Sequence, residues 1–83
     1  MKILLIEDDI DVSFFIKMGL QNDGIVVDIA KDGASGSFMS RTNHYDVMVI
    51  DYSLPIKDGL SICEEIRSSQ IDTPIIFLTV HTD

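Results

Sequence analysis

Between Val47 and Gly59 the chain reads Val-Met-Val-Ile-Asp-Tyr-Ser-Leu-Pro-Ile-Lys-Asp-Gly: a short apolar run, a carboxylate at Asp51, and a loop closed by Asp58-Gly59. The run is too short for a buried helix and suits a strand covered on both faces, as in a parallel sheet. Asp51 then falls at the carboxyl end of a central strand, the edge at which open α/β sheets bind their ligands. An acid closing an otherwise apolar strand makes Asp51 the candidate reactive residue.

The rest of the chain supplies a sheet for that strand. Ile3 to Ile6 is a first buried strand, stopped by Glu7-Asp8-Asp9. Asp9 or Asp11 can cap a following helix, whose apolar stripe is Val12, Phe15, Ile16, Gly19 and Leu20. Asn22-Asp23-Gly24 ends it with a turn tolerant of positive φ. Ile25 to Ala30 is short and β-branched, a second strand. Ala34 to Thr42 is read as a helix although Gly36 and three serines lower its propensity; only Ala34, Phe38 and Met39 offer apolar contact. After the Asp51 strand, Ile62, Cys63 and Ile66 mark the inward face of a third helix, with Glu64, Glu65 and Arg67 outside. Pro74 introduces Ile75 to Leu78, a fourth buried strand ending on Thr79. The order is βαβαβαβ, with no linker or repeat. Right-handed crossovers then predict a parallel sheet with helices on both faces.

Composition bounds the function. In 83 residues, 46% hydrophobic and 24% charged, there is one globular unit and no disordered tail. Fourteen acids against six bases give a net charge of -8, which argues against non-specific binding to nucleic acid or acidic membrane and is compatible with a cation or a basic partner. The single cysteine, Cys63, excludes an internal disulfide and fits a reducing cytoplasm. The sequence shows no signal peptide and no apolar run of membrane-spanning length, so a cytoplasmic protein is expected.

Three strands end on polar groups: Glu7-Asp8, Asp51 and Thr79. If the strands are neighbours, these groups meet. Two carboxylates at about 4 Å and an effective dielectric near 20 repel by roughly 4 kcal/mol. One must take up a proton, or a divalent cation must neutralise the cluster. Oxygen-only ligands select a hard ion, Mg²⁺ first. Asp8 and Asp9 have a competing role as caps of the first helix. A carboxylate beside Mg²⁺ is a competent nucleophile toward a phosphoryl group.

Together, Lys-Ile-Leu-Leu-Ile-Glu-Asp-Asp, Asp-Tyr-Ser-Leu-Pro-Ile-Lys-Asp-Gly and Pro-Ile-Ile-Phe-Leu-Thr resemble the receiver domain of two-component response regulators, most closely the branch of winged-helix transcription factors. The resemblance implies a flavodoxin-like α/β fold and covers the first two-thirds of it. Residues 1–83 would form a partial receiver lacking that fold's fourth helix, fifth strand and fifth helix. It implies Asp51 as phosphoacceptor; Asp8 as a direct Mg²⁺ ligand and Glu7 as one through water; Ser53 as a ligand through its backbone carbonyl; Thr79 as the switch hydroxyl; and Pro55 and Gly59 as shapers of the loop. The implied partner is a sensor histidine kinase, and the implied output is DNA binding through an effector domain outside these residues. A receiver is a signalling phosphoacceptor rather than an enzyme.

The family's lysine after the fifth strand and the switch aromatic on that strand have no counterpart in these residues, and neither Lys31 nor Lys57 fits the lysine's role by position. Val80 stands where the family commonly has alanine, and His81 is read as a solvated loop residue. With its fourth strand at the sheet edge, the chain is expected to pair strands with a copy, exchange segments or remain partly molten. The alternative function is a phosphorylation-independent interaction or dimerisation module. A metal-dependent phosphatase would want a second acid where Ser53 stands, and no glycine-rich loop for a dinucleotide follows the first strand.

Overall fold

The computed structural model describes residues 1–79. Its elements run β1 (Lys2–Ile6), α1 (Ile10–Gln21), β2 (Val26–Ala30), α2 (Gly33–Thr42), β3 (Val47–Asp51), α3 (Gly59–Ser68) and β4 (Ile75–Leu78). All strand pairs are parallel, in the order β2-β1-β3-β4. The expected alternation and the flavodoxin-like arrangement are therefore both present. The β1-to-β2 connection runs toward one edge and the next two toward the other. Right-handed crossovers consequently place α1 on one face and α2 with α3 on the opposite face.

Burial follows this topology. Leu4, Ile6, Ala30, Met48 and Ile50 alternate onto the α2/α3 side and pack with Tyr45, Leu54, Ile62 and Ile66 in the main core. The paired residues Ile3, Leu5 and Val27 face the α1 side and are also buried. At the amino-terminal end of the strands, the buried Tyr45 hydroxyl donates to Asp28 Oδ2 at 2.7 Å, satisfying the one polar atom of that ring. No helix among the described residues is long and apolar enough to cross a membrane.

Three expectations are corrected. First, reading Ile75 to Leu78 as a buried strand does not hold, whereas the expected edge position does: β4 has a single neighbour among the described strands, and Ile76 is 58% exposed. Second, the apolar stripe of α1 is only partly used. Phe15 is 79% exposed and Gly19 lies on the surface, whereas Ser13 is buried. α1 packs on the β2 side of its face and no second helix lies beside it among the described residues. Third, α2 does not dock through Phe38, which is exposed. Of the expected apolar contacts only Met39 packs against the core, Ala34 being exposed as well; the buried residues of α2 are Gly33, Gly36, Ser37 and Ser40. A Cβ on Gly36 would overlap the side chain of Ile6, and one on Gly33 would lie 2.6 Å from Ile62. The residues that lowered helix propensity are the ones that let α2 approach the sheet and α3.

Each helix starts on an aspartate, Asp9, Asp32 or Asp58, whose carboxylate accepts a hydrogen bond from a backbone N–H three residues on. The turn after α1 places Gly24 at φ +77°, as its sequence predicts.

Candidate functional site

At the carboxyl edge of the sheet, Glu7 and Asp8 follow β1 and Asp51 ends β3. Because β1 pairs directly with β3, the chain ends that carry these acids are neighbours. Glu7, Asp8 and Asp51 each offer a carboxylate oxygen, and the three oxygens lie within 4.8 Å of one another. Together with Asp9, Val12 and Ser53 they line an open groove of about 260 Å³.

The three acids differ in environment. Glu7 is only 5% exposed, Asp8 is exposed, and Asp51 is intermediate. Burial pushes the Glu7 carboxyl up to about 7, with the adjacent Asp51 and Asp8 carboxylates also favouring the protonated form. The Asp9 N–H donates to Glu7 Oε2 at 3.3 Å and acts in the opposite direction. Asp51 is held differently: Ser53 N–H donates to its Oδ1 at 3.0 Å. That contact was not foreseen from sequence, although the tight turn after β3 is the signal for it.

The loop beneath Asp51 is fastened from behind. Gly59 N–H donates to the Tyr52 carbonyl at 3.0 Å. A Cβ on Gly59 would stand 2.7 Å from the Asp51 carbonyl oxygen and 2.9 Å from Tyr52 Cα. Glycine is required here by close backbone approach.

The remaining candidates separate. Ser53 lines the acidic groove. Thr79 follows Leu78, the residue in register with Asp51, so it lies at the same end of the sheet; it is exposed and does not line the groove. Lys57 is paired with Glu65 at 2.6 Å and does not line the acidic groove. Lys31 lines a neighbouring groove with Glu7 and Asp8, on the side away from Asp51. Val80 and His81 lie outside the described residues.

Asp9 caps α1, accepting from Val12 N–H at 3.0 Å. Asp9→Ala is expected to lower stability by about 1 kcal/mol in a urea melt. It should leave Mg²⁺ affinity within about twofold, because the group next to Glu7 is the Asp9 backbone and not its carboxylate.

The donor set suits a hard divalent cation. It is all oxygen, it brings three carboxyl groups into one small space, and its most buried member is the carboxyl least able to remain charged alone. A parallel sheet ordered β2-β1-β3-β4, with an acidic triad across the ends of its two central strands, defines a class of flavodoxin-like α/β domains with an acidic site at the carboxyl edge of the sheet. Residues 3–83 match the family model of the response regulator receiver domain, and the chain belongs to that family. It is 40% identical over 82 residues to the response regulator ArlR of Staphylococcus saprophyticus, covering 99% of this chain and 37% of the relative. It is 34% identical over 83 residues to the transcriptional activator protein IrlR of Burkholderia pseudomallei, of which it covers 36%. Among solved structures, a Francisella response regulator receiver domain superposes with a TM-score of 0.90 at 38% identity, covering 99% of this chain and 68% of that one. The chemotaxis protein CheY4 of Vibrio cholerae gives 0.91 at 27% identity, covering 99% and 70%. The chain thus spans little more than a third of its curated relatives and about two-thirds of the solved receiver domains.

Proposed function

We propose that residues 1–83 are the first part of a receiver domain in which Asp51 accepts a phosphoryl group from the phosphohistidine of a sensor kinase. The observation that carries this reading is the triad on the sheet edge, with the buried Glu7 carboxyl raised to about 7 beside Asp51. Glu7, Asp8, Asp51 and the Ser53 carbonyl would hold Mg²⁺. When bound, the ion neutralises charge on the phosphoryl oxygens.

The chain's own groups supply the rest. Ser53 N–H holds Asp51 Oδ1 and leaves the second oxygen to attack phosphorus. As the O–P bond forms, the donor's N–P bond breaks and its electron pair returns to the imidazole; the product is an acyl phosphate. Gly59 keeps α3 against the Asp51 carbonyl and so fixes the strand end from which the nucleophile projects. Thr79, one residue past the register partner of Asp51, would be the hydroxyl that answers phosphorylation; what supports this is its place at the same end of the sheet. Relatives named as transcriptional activator or regulatory proteins favour DNA binding as the output, through an effector domain outside these residues; on this reading the protein works in the cytoplasm.

The test is incubation with phosphoramidate and Mg²⁺ followed by intact mass. One added phosphoryl group on the wild type, and none on Asp51→Asn, is the expected result. Asp51→Asn modified to the same extent would remove the assignment.

A further inference from the structure

Between Asp51 and α3 the chain makes a strained turn. Ile56 is in the left-handed region at φ +69°, and Lys57 N–H donates to the Pro55 carbonyl at 2.7 Å, the i to i+2 bond of a rare positive-φ γ-turn. A β-branched residue is among the poorest choices for that position. The Ile56 side chain is fully exposed, so no packing within the chain offsets the strain. The conformation must be imposed by what surrounds it.

Flanking contacts fasten the ends of the turn. Leu54 is buried in the core, Asp58 accepts from Ser61 N–H at 2.8 Å, and Gly59 N–H donates to the Tyr52 carbonyl at 3.0 Å. Within the turn the hold is an ion pair: Lys57 Nζ donates to Glu65 Oε2 of α3 at 2.6 Å. The Lys57 stem passes beside Gly33, at the start of α2. Glu65 is half-buried and is prepared for its partner from α2, where Arg41 donates to the buried Ser37 hydroxyl. Lys57 first, then Ser37 and Arg41, hold the Glu65 carboxyl below its usual range. Lys57 therefore meets a charged carboxylate at the junction of two helices.

The turn is also close to the acidic site along the chain. Ser53, whose N–H holds Asp51 Oδ1, precedes Ile56 by three residues. Between them, Pro55 fixes its own φ and confines Leu54 to extended backbone. A change at Ile56 finds few soft dihedrals to absorb it before it reaches Ser53.

We propose that Glu65, acting through Lys57, is a positioning residue for the loop after Asp51. Its carboxylate clamps the Pro55–Lys57 turn in the left-handed conformation and so, resting on the proposed reading of the site, sets the Ser53 carbonyl for Mg²⁺. Without the clamp Ile56 relaxes to negative φ and the loop shifts.

The test reads the turn and the metal separately. In isotope-labelled, metal-free protein, the one-bond Cα–Hα coupling and the Cβ shift of Ile56 report the sign of its φ; a Mg²⁺ titration reports affinity. The wild type should show positive φ. Glu65→Gln and Lys57→Met should each turn Ile56 to negative φ and weaken Mg²⁺ binding about three- to fivefold, the scale of a well-placed exposed ion pair. Glu64→Gln, the same charge change on an exposed neighbour, should do neither. Ile56→Gly removes the strain, so adding Glu65→Gln to it should alter Mg²⁺ affinity by less than about twofold. Negative φ in the wild type, or positive φ retained in Glu65→Gln, overturns the clamp. Turned Ile56 with unaltered Mg²⁺ affinity overturns the positioning role. A wild type that binds no Mg²⁺ removes the metal reading and the positioning role with it, while the Ile56 coupling still decides the clamp.

Discussion

Replacing Gly59 by alanine should cost about 3 kcal/mol of stability and weaken Mg²⁺ binding at least tenfold. The added Cβ would meet the Asp51 carbonyl oxygen at 2.7 Å and Tyr52 Cα at 2.9 Å. Both are backbone atoms, so no rotamer change relieves the overlap, and α3 must move off the end of β3. That movement breaks the Gly59–Tyr52 hydrogen bond and displaces the strand end carrying Asp51. Gly19→Ala is the control. Gly19 is inside α1, where a Cβ meets nothing within 4 Å, so alanine there should add about 0.5–1 kcal/mol. Urea melts and Mg²⁺ titrations of both variants check the pair. A Gly59→Ala protein with unaltered Mg²⁺ affinity would show that α3 does not brace Asp51.

The second large effect is at Glu7. Its carboxyl titrates near 7 in the folded chain, from an ordinary value of 4.5. Between these values the folded state binds more protons than the unfolded one, so this group's contribution falls as pH rises. It is most favourable below about pH 4.5 and is lost above pH 7, a difference of roughly 3 kcal/mol. Glu7→Gln keeps the shape without the charge. At pH 8 without metal it should be more stable than wild type by on the order of 3 kcal/mol, roughly 10–20 °C in Tm for a domain of this size. The advantage should vanish by pH 4.5. Mg²⁺ should reverse the ranking at pH 8: it binds and stabilises the wild type by linkage and does little for the variant. Because protons compete for Glu7, wild-type Mg²⁺ affinity should fall as pH drops below about 7. Thermal melts over pH 4–8, with and without Mg²⁺, read all of this. A Glu7→Gln protein no more stable than wild type at pH 8 would contradict the buried, proton-holding carboxyl.

The elements most legible in the sequence were those specified by neighbours along the chain. The apolar run at Val47 to Ile50, the helical spacing of Ile62 and Ile66, and the Asp9 cap of α1 all act over a few residues, and all appear where expected. The acids of the site were legible for a related reason. Glu7-Asp8 and Asp51 each terminate an apolar strand, and strand order alone brings them together.

Less legible were properties that depend on which surfaces meet. α1 has a regular apolar stripe, yet nothing among the described residues covers Phe15, because periodicity describes a helix and not what lies opposite it. Gly36 looked like a weakness in α2 and is instead its point of closest approach to Ile6. The burial of Glu7, and hence its retained proton, follows from the β1–β3 pairing and the groove around it, which no local pattern encodes.

By itself, then, the sequence determined the order of strands and helices, the family, and the acids at Glu7, Asp8 and Asp51, because these rest on local periodicity and short motifs. Only the tertiary structure decided which acid is buried, what braces Asp51 from behind, and which residues of α2 meet the sheet. Desolvation and packing are set by residues far apart in the chain, and they take their values only when the sheet has closed around them.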